Sequence, residues 1–116
     1  MSRMDKVNNQ MKRVISQILQ QEFGDPRLAF VTITHVDTSP DLKNAKVFFT
    51  VLGDEQAMQG ALGSLNKARG MIRHAVSQRM VIRHTPELNF IHDQSINYSV
   101  EIEERLKEIY DEQKEN

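Results

Sequence analysis

The chain contains no cysteine and no tryptophan, and only three of its 116 residues are proline. Without cysteine it can form neither a disulfide nor a thiolate metal or redox site. No apolar run is long enough for a transmembrane helix, and the polar start through Ser2, Arg3 and Asp5 does not resemble a signal peptide. We therefore expect one cytoplasmic domain with a single core, since the length is ordinary for a domain.

Acidic residues are missing from Gln56 to Pro86. The formal charge of the chain is −1, yet residues 1–86 hold twelve Lys/Arg against seven acids, and residues 87–116 hold three against nine. Such asymmetry indicates contact with nucleic acid or a membrane surface, because an approaching phosphate meets the local field and not the net charge. The alternative is that the cations only solvate helix faces. The basic residues of the acid-free stretch are Lys67, Arg69, Arg73, Arg79 and Arg83.

The first half of the chain predicts a helix followed by two strands. Apolar residues at spacings of three and four form one helix face, which Gly24 to Pro26 terminates. Residues 28–38 and 45–52 are rich in β-branched and aromatic side chains, and residues 39–42 supply turn chemistry between them, so an antiparallel hairpin is expected. The apolar face of the helix consists of Val7, Met11, Val14, Ile15, Ile18 and Leu19.

The second half predicts two more helical segments, a short strand and a last helix. Asp54 is a plausible N-cap, and Gly70 interrupts the helical pattern, so a kink or break is expected there, with a non-helical or positive-φ backbone. Residues 88–92 read as a strand, and an acidic helix with apolar Ile102, Leu106 and Ile109 follows. These elements predict a KH-like domain over residues 1–95 and an acidic C-terminal helix with a short tail over residues 96–116.

The predicted order, helix-strand-strand-helix-kink-helix-strand with a C-terminal helix, resembles the α+β arrangement of a type II KH domain with a three-stranded sheet. KH domains bind single-stranded nucleic acid beside a Gly-x-x-Gly loop whose backbone approaches phosphates. The literal match, Gly60 to Gly63, leaves too short a helix before it, and we interpret it as a decoy. The better junction is Ala68-Arg69-Gly70.

Several separated motifs occur in a fixed order along the chain: Asp25-Pro26-Arg27-Leu28, Val31-Thr32-Ile33-Thr34, Ser39 to Val47, Ala68-Arg69-Gly70 with Ile72-Arg73, and Arg83 to Asp93. Together they resemble the bacterial ribosome-binding factor A family over nearly the whole domain. In that family an Ala-x-Gly kink replaces the KH loop, which corresponds to Ala68-Arg69-Gly70 here.

The resemblance implies a non-enzymatic, monomeric assembly factor with no cofactor. It would bind the free small (30S) ribosomal subunit and its 16S rRNA during late maturation, support processing of the rRNA 5′ end, and aid growth in the cold. Ribosomal proteins and a maturation GTPase are the further partners that it implies. No Phe, Tyr or Trp occurs between Gln56 and Pro86, so we expect recognition of RNA shape and backbone more than base stacking.

The residues expected on the RNA-facing side combine the acid-free stretch, the junction and cations of the first half. These residues are Lys12, Arg13, Lys43, Lys46, Lys67, Ala68, Arg69, Gly70, Arg73, Arg79 and Arg83.

Two other functional classes compete with RNA binding. An enzyme is disfavoured because the four histidines have no metal-ligand spacing, no phosphate-binding loop follows Gly53 or Gly60, and Ser39 and Ser77 lack a nucleophile context. A protein-interaction module acting through the acidic C-terminal helix is the alternative function. Salt dependence separates it from phosphate binding, which weakens steeply as salt rises.

Overall fold

The computed structural model describes residues 2–21, 25–28 and 30–94. The predicted α+β class and three-stranded sheet are confirmed. The described elements are α1 (Arg3–Gln21), a 3-10 helix (Pro26–Leu28), β1 (Val31–Thr38), β2 (Asn44–Val51), α2 (Glu55–Arg79) and β3 (Glu87–His92).

The sheet has the order β1-β2-β3, with β2 in the centre. β1 and β2 pair antiparallel, as the hairpin prediction required, with an irregularity in the register between Ile33 and His35. β3 pairs parallel to β2, from Asn44 opposite Glu87 to Phe49 opposite His92. A parallel neighbour needs a crossover connection, and α2 supplies it.

The hydrophobic core lies between one face of the sheet and the two helices. The predicted apolar face of α1 is confirmed, with Val7 half-buried at its edge. Along β2, buried Ala45, Val47 and Phe49 alternate with more exposed residues, as expected of a strand covered on one side. Phe49 is the largest of the fully buried side chains. The buried residues of α1 are Met11, Val14, Ile15, Ile18 and Leu19.

The predicted break of the helix at Gly70 is wrong, because α2 is one continuous helix of 25 residues. Gly70 also lacks the positive φ expected of such a junction; among the described glycines only Gly53 has one, at 133°. A glycine costs a helix only about 1 kcal/mol. Burial of Leu65, Ile72 and Val76 on both sides of Gly70 outweighs that cost and keeps the helix whole.

The N-terminus of α2 and the Gly60 to Gly63 segment follow the sequence prediction. The Asp54 side chain accepts a hydrogen bond from the Ala57 amide at 2.9 Å, which makes Asp54 the N-cap. Gly60 and Gly63 lie inside α2 and form no loop, so their interpretation as a decoy is confirmed.

The predicted acidic helix, and the domain boundary at residue 95, lie outside the described residues. Within residues 2–21, 25–28 and 30–94, neither helix is long and apolar enough to cross a membrane.

Candidate nucleic-acid interface

The middle of α2 presents two stripes of side chains on its two flanks. Each stripe has the spacing i, i+3, i+4, i+7, which aligns residues along one side of a helix. At 3.6 residues per turn the two stripes lie roughly 120° apart around the helix axis. The first stripe consists of Gly70, Arg73, His74 and Ser77, and the second of Ser64, Lys67, Ala68 and Met71.

The first stripe forms one wall of a polar groove, which we call the Arg73 groove. The opposite wall comes from the β1–β2 turn and from the segment that enters β3. The groove consists of two adjoining hollows of about 460 Å³ and 320 Å³, which share Arg73 and Thr85. Its lining residues are Leu42, Lys43, Asn44, Gly70, Arg73, His74, Ser77, His84, Thr85 and Glu87.

Arg73 holds the groove together as well as giving it charge. Its Nε and one terminal nitrogen donate hydrogen bonds of 3.2 Å and 2.9 Å to the Thr85 carbonyl oxygen. This double contact fixes the chain between α2 and β3 against the helix. Arg73 therefore contributes to the stability of the fold in addition to any contact that it makes with RNA.

The β1–β2 turn that carries Lys43 is held by its own hydrogen bonds. The Asp41 carboxylate accepts from the Ser39 hydroxyl at 2.6 Å and from the Lys43 amide at 3.0 Å. These two bonds lower the pKa of Asp41 below its usual value of 3.8, so the carboxylate stays ionised at neutral pH. Leu42 takes a left-handed φ of 62°, and the Glu87 amide donates to the Lys43 carbonyl at 2.9 Å. The turn thus presents Lys43 in a fixed position.

The groove combines cations with open backbone. Lys43 and Arg73 face it together with His74 and His84, and Glu87 is the acid in its lining. A methyl group added at Gly70 would meet no heavy atom within 4 Å beyond the neighbouring backbone of its own helix. A phosphate could therefore approach the backbone at Gly70 closely, with Arg73 and Lys43 beside it. Apart from the imidazoles of His74 and His84, the described lining of these hollows contains no aromatic side chain.

We expect Gly70→Ala to stabilise the fold and weaken RNA binding. Alanine raises the free energy of unfolding by up to about 1 kcal/mol inside a helix, whereas its methyl group would fill the open space at Gly70 that a close phosphate contact requires. Gly63→Ala is the matched control, because Gly63 lies two turns earlier on the same side of α2 and its added methyl group also meets open space. Urea denaturation and cosedimentation with small ribosomal subunits measure the two effects. Normal binding by Gly70→Ala would exclude a close backbone contact at this position.

The structure separates the other predicted site residues from the groove. Lys67 and Ala68 belong to the second stripe and line a different cleft. Lys46 stands between buried Ala45 and Val47 and so lies on the sheet face opposite the helices. Of the remaining predicted residues, all exposed, Lys12 and Arg13 lie on α1, Arg69 and Arg79 on α2, and Arg83 before β3.

Of the predicted residues, then, the structure brings Lys43, Gly70 and Arg73 together in the groove. His84 lies in the basic stretch but was not among the predicted site residues, and Thr85 was not predicted at all. The only sequence signal near Thr85 is the proline that follows it. Its carbonyl oxygen becomes an acceptor because the fold brings it to Arg73, twelve residues earlier in the chain.

The comparisons with known proteins agree on one family. The model of the ribosome-binding factor A family matches residues 3–106. Ribosome-binding factor A of Natranaerobius thermophilus is 43% identical over 107 residues, which cover 92% of this chain and 82% of that protein.

A crystal structure and a fitted homology model of Thermus thermophilus ribosome-binding factor A share the fold. The crystal structure has a TM-score of 0.71 at 27% identity and covers 78% of this chain and 97% of its own. A homology model fitted into a cryo-EM map of a complex with the 30S subunit has a TM-score of 0.63 at 29% identity, and the match covers 75% of this chain and 91% of that one. The chain belongs to the ribosome-binding factor A family.

Proposed function

We propose that this protein binds the free small (30S) ribosomal subunit through its 16S rRNA, with the Arg73 groove as the main contact. The observation that carries the proposal is the convergence of Lys43, Arg73 and the open backbone of Gly70 on one groove. The related factor of Thermus thermophilus, which has been fitted into a cryo-EM map of its complex with 30S, supports the same partner.

The chemistry of the groove suits the backbone of folded RNA. Lys and Arg bind phosphates and position a protein on nucleic acid, whereas sequence is read by base edges and stacking. Since the described lining offers cations and backbone but no Phe, Tyr or Trp ring, we expect contacts to phosphate and sugar to dominate. Affinity should then fall steeply with salt.

The role that we infer is assistance to late maturation of the small subunit in the cytoplasm, without enzymatic activity. It includes support for processing of the 5′ end of 16S rRNA and for growth in the cold, as the family resemblance suggests. Ribosomal proteins and a maturation GTPase are the further partners that we propose, and the factor acts as a monomer.

Cosedimentation tests the proposal. The protein is mixed with immature small subunits, mature small subunits, large subunits and assembled ribosomes, each at about 0.05 M and 0.2 M salt. We expect preferential pelleting with free small subunits and a marked loss at the higher salt. Equal pelleting with all four particles, or with none of them, would contradict the proposed function.

A further inference from the structure

A second cleft lies on the other flank of α2, roughly 120° around the helix axis from the Arg73 groove. The 3-10 helix crosses this flank, and together with the second stripe it encloses a hollow of about 270 Å³. We call it the Asp25 cleft. Its lining residues are Asp25, Arg27, Leu28, Ser64, Lys67, Ala68 and Met71. Two motifs of the sequence, separated by about forty residues, therefore meet here: Asp25 to Leu28 and the segment around Ala68.

The floor of the Asp25 cleft is apolar and open. Leu28 is buried and Ala68 half-buried, but 67% of the Met71 surface is exposed although Met71 belongs to a packed helix. A thioether side chain is soft and polarisable and makes favourable contacts with flat ring systems. An exposed methionine beside small apolar residues is therefore suited to the face of a planar group.

The rim of the cleft carries a carboxylate between two cations. Asp25 accepts a hydrogen bond from the Arg27 amide at 2.9 Å and another from the buried Ser64 hydroxyl. These bonds, with the charges of Arg27 and Lys67, lower the pKa of Asp25 below its usual 3.8. The group is thus an ionised acceptor at neutral pH. A carboxylate has about four lone-pair sites, so it can accept further hydrogen bonds after these two.

An acceptor above an apolar floor distinguishes bases that carry an amino group from uracil. Cytosine, adenine and guanine each have an exocyclic amino group that donates to a carboxylate, whereas the one donor on the pairing edge of uracil, its N3–H, lies between two carbonyl oxygens that a carboxylate repels. Single-stranded RNA is recognised by splayed-out bases that are stacked and hydrogen-bonded at their edges. The flanking Arg27 and Lys67 suit the phosphates on both sides of such a base.

We propose that the Asp25 cleft holds one unstacked rRNA base and prefers a base with an exocyclic amino group over uracil. The proposal rests on RNA binding by the protein and adds a base-reading site to the backbone-binding Arg73 groove. A strand whose phosphates contact the groove crosses α2 near Gly70 and places a neighbouring base over Met71. Asp25 accepts from the amino group, and Met71 contacts the ring.

The test uses two fluorescent single-stranded RNA probes of twelve nucleotides, all cytidine or all uridine, at neutral pH. We expect fluorescence anisotropy with the full-length protein to show that the cytidine probe binds about tenfold more tightly than the uridine probe. This ratio corresponds to one hydrogen bond to a charged group. Asp25→Asn keeps an oxygen for the Arg27 amide but adds an amide donor, and it should reduce this ratio to near one. Asp37→Asn removes the same charge from an exposed position of β1 and should leave the ratio unchanged.

Cosedimentation with small subunits, run in parallel, separates failure of this proposal from failure of the proposed function. A protein that pellets with small subunits but binds both probes equally, or neither, lacks a base-reading cleft while its function stands. An unchanged ratio in Asp25→Asn also overturns the cleft. A protein that binds neither subunits nor probes overturns both proposals.

Discussion

Lys43→Glu weakens binding to small subunits by about tenfold, the value expected for one charge-assisted hydrogen bond to phosphate. It also makes the slope of log affinity against log salt concentration shallower by about one. The reason is its place in the Arg73 groove, where the hydrogen-bonded turn fixes the ammonium-bearing residue beside α2. Cosedimentation at several salt concentrations measures the affinity and the slope together.

Lys46→Glu is the matched control for this prediction. It makes the same change of charge three residues along the chain, but on the sheet face opposite the helices. Charges are screened over about 8 Å at physiological salt. Lys46→Glu should therefore change the affinity for small subunits very little if RNA binds at the groove. Equal losses from both variants would show that overall charge, and not the groove, drives binding.

Arg73→Glu should differ from both lysine variants by lowering stability as well as affinity. Its two hydrogen bonds to Thr85 contribute roughly 1–2 kcal/mol to the free energy of unfolding. Urea denaturation and cosedimentation measure the two effects separately. A loss of affinity without any shift in the urea midpoint would contradict the structural part of this assignment.

Phe49→Ala lowers the free energy of unfolding by about 3–5 kcal/mol, the cost of removing a buried aromatic side chain. Phe49 is fully buried in the central strand, with its ring 5.8 Å from the ring of His92. Domains of this size are stable by only about 5–15 kcal/mol, so the variant approaches the limit of folding. Urea denaturation followed by circular dichroism measures the loss.

Phe48→Ala makes the same substitution on the other side of the sheet. Phe48 is half-buried and contacts His35, with ring centroids 5.7 Å apart. We expect a loss of about 1 kcal/mol, the size of an exposed cross-strand aromatic pair. If Phe48→Ala destabilised the protein as much as Phe49→Ala, the assignment of the Phe49 face of β2 to the core would be wrong.

Local patterns predict most of the fold. The spacing from Met11 to Leu19 specifies the buried face of α1, and the turn residues between Thr38 and Asn44 specify a hairpin, because both signals lie within a few residues. The parallel position of β3 beside β2 could not be read in this way. It depends on which strand the chain pairs with after the crossover helix, and packing between distant segments decides that.

Gly70 shows where local propensity fails. The sequence pattern around it indicated two helices, since glycine is a poor helix former. The structure keeps one helix because the apolar residues before and after Gly70 pack on the same core, and tertiary burial exceeds the local cost.

The candidate site was predictable in part for the same reason. A basic stretch identified Arg73, and motif resemblance identified Gly70, but neither reveals which side of an element a residue occupies. Lys43 and Lys46 have equal charge and similar context, yet the turn places the first in the groove and the strand places the second on the far face. The link between Arg73 and Thr85 and that between Asp25 and Ser64 join residues that only the folded chain brings together.

Site-specific crosslinking tests most directly whether the Arg73 groove faces the rRNA. The chain has no cysteine, so Ser77→Cys in the groove and Asn89→Cys on the opposite sheet face each give a unique attachment point for a photoactivated crosslinker. Each labelled protein is bound to free small subunits and irradiated. We predict crosslinks to 16S rRNA from position 77 and few or none from position 89; the reverse pattern, or equal crosslinking from both, would contradict the assignment of the groove.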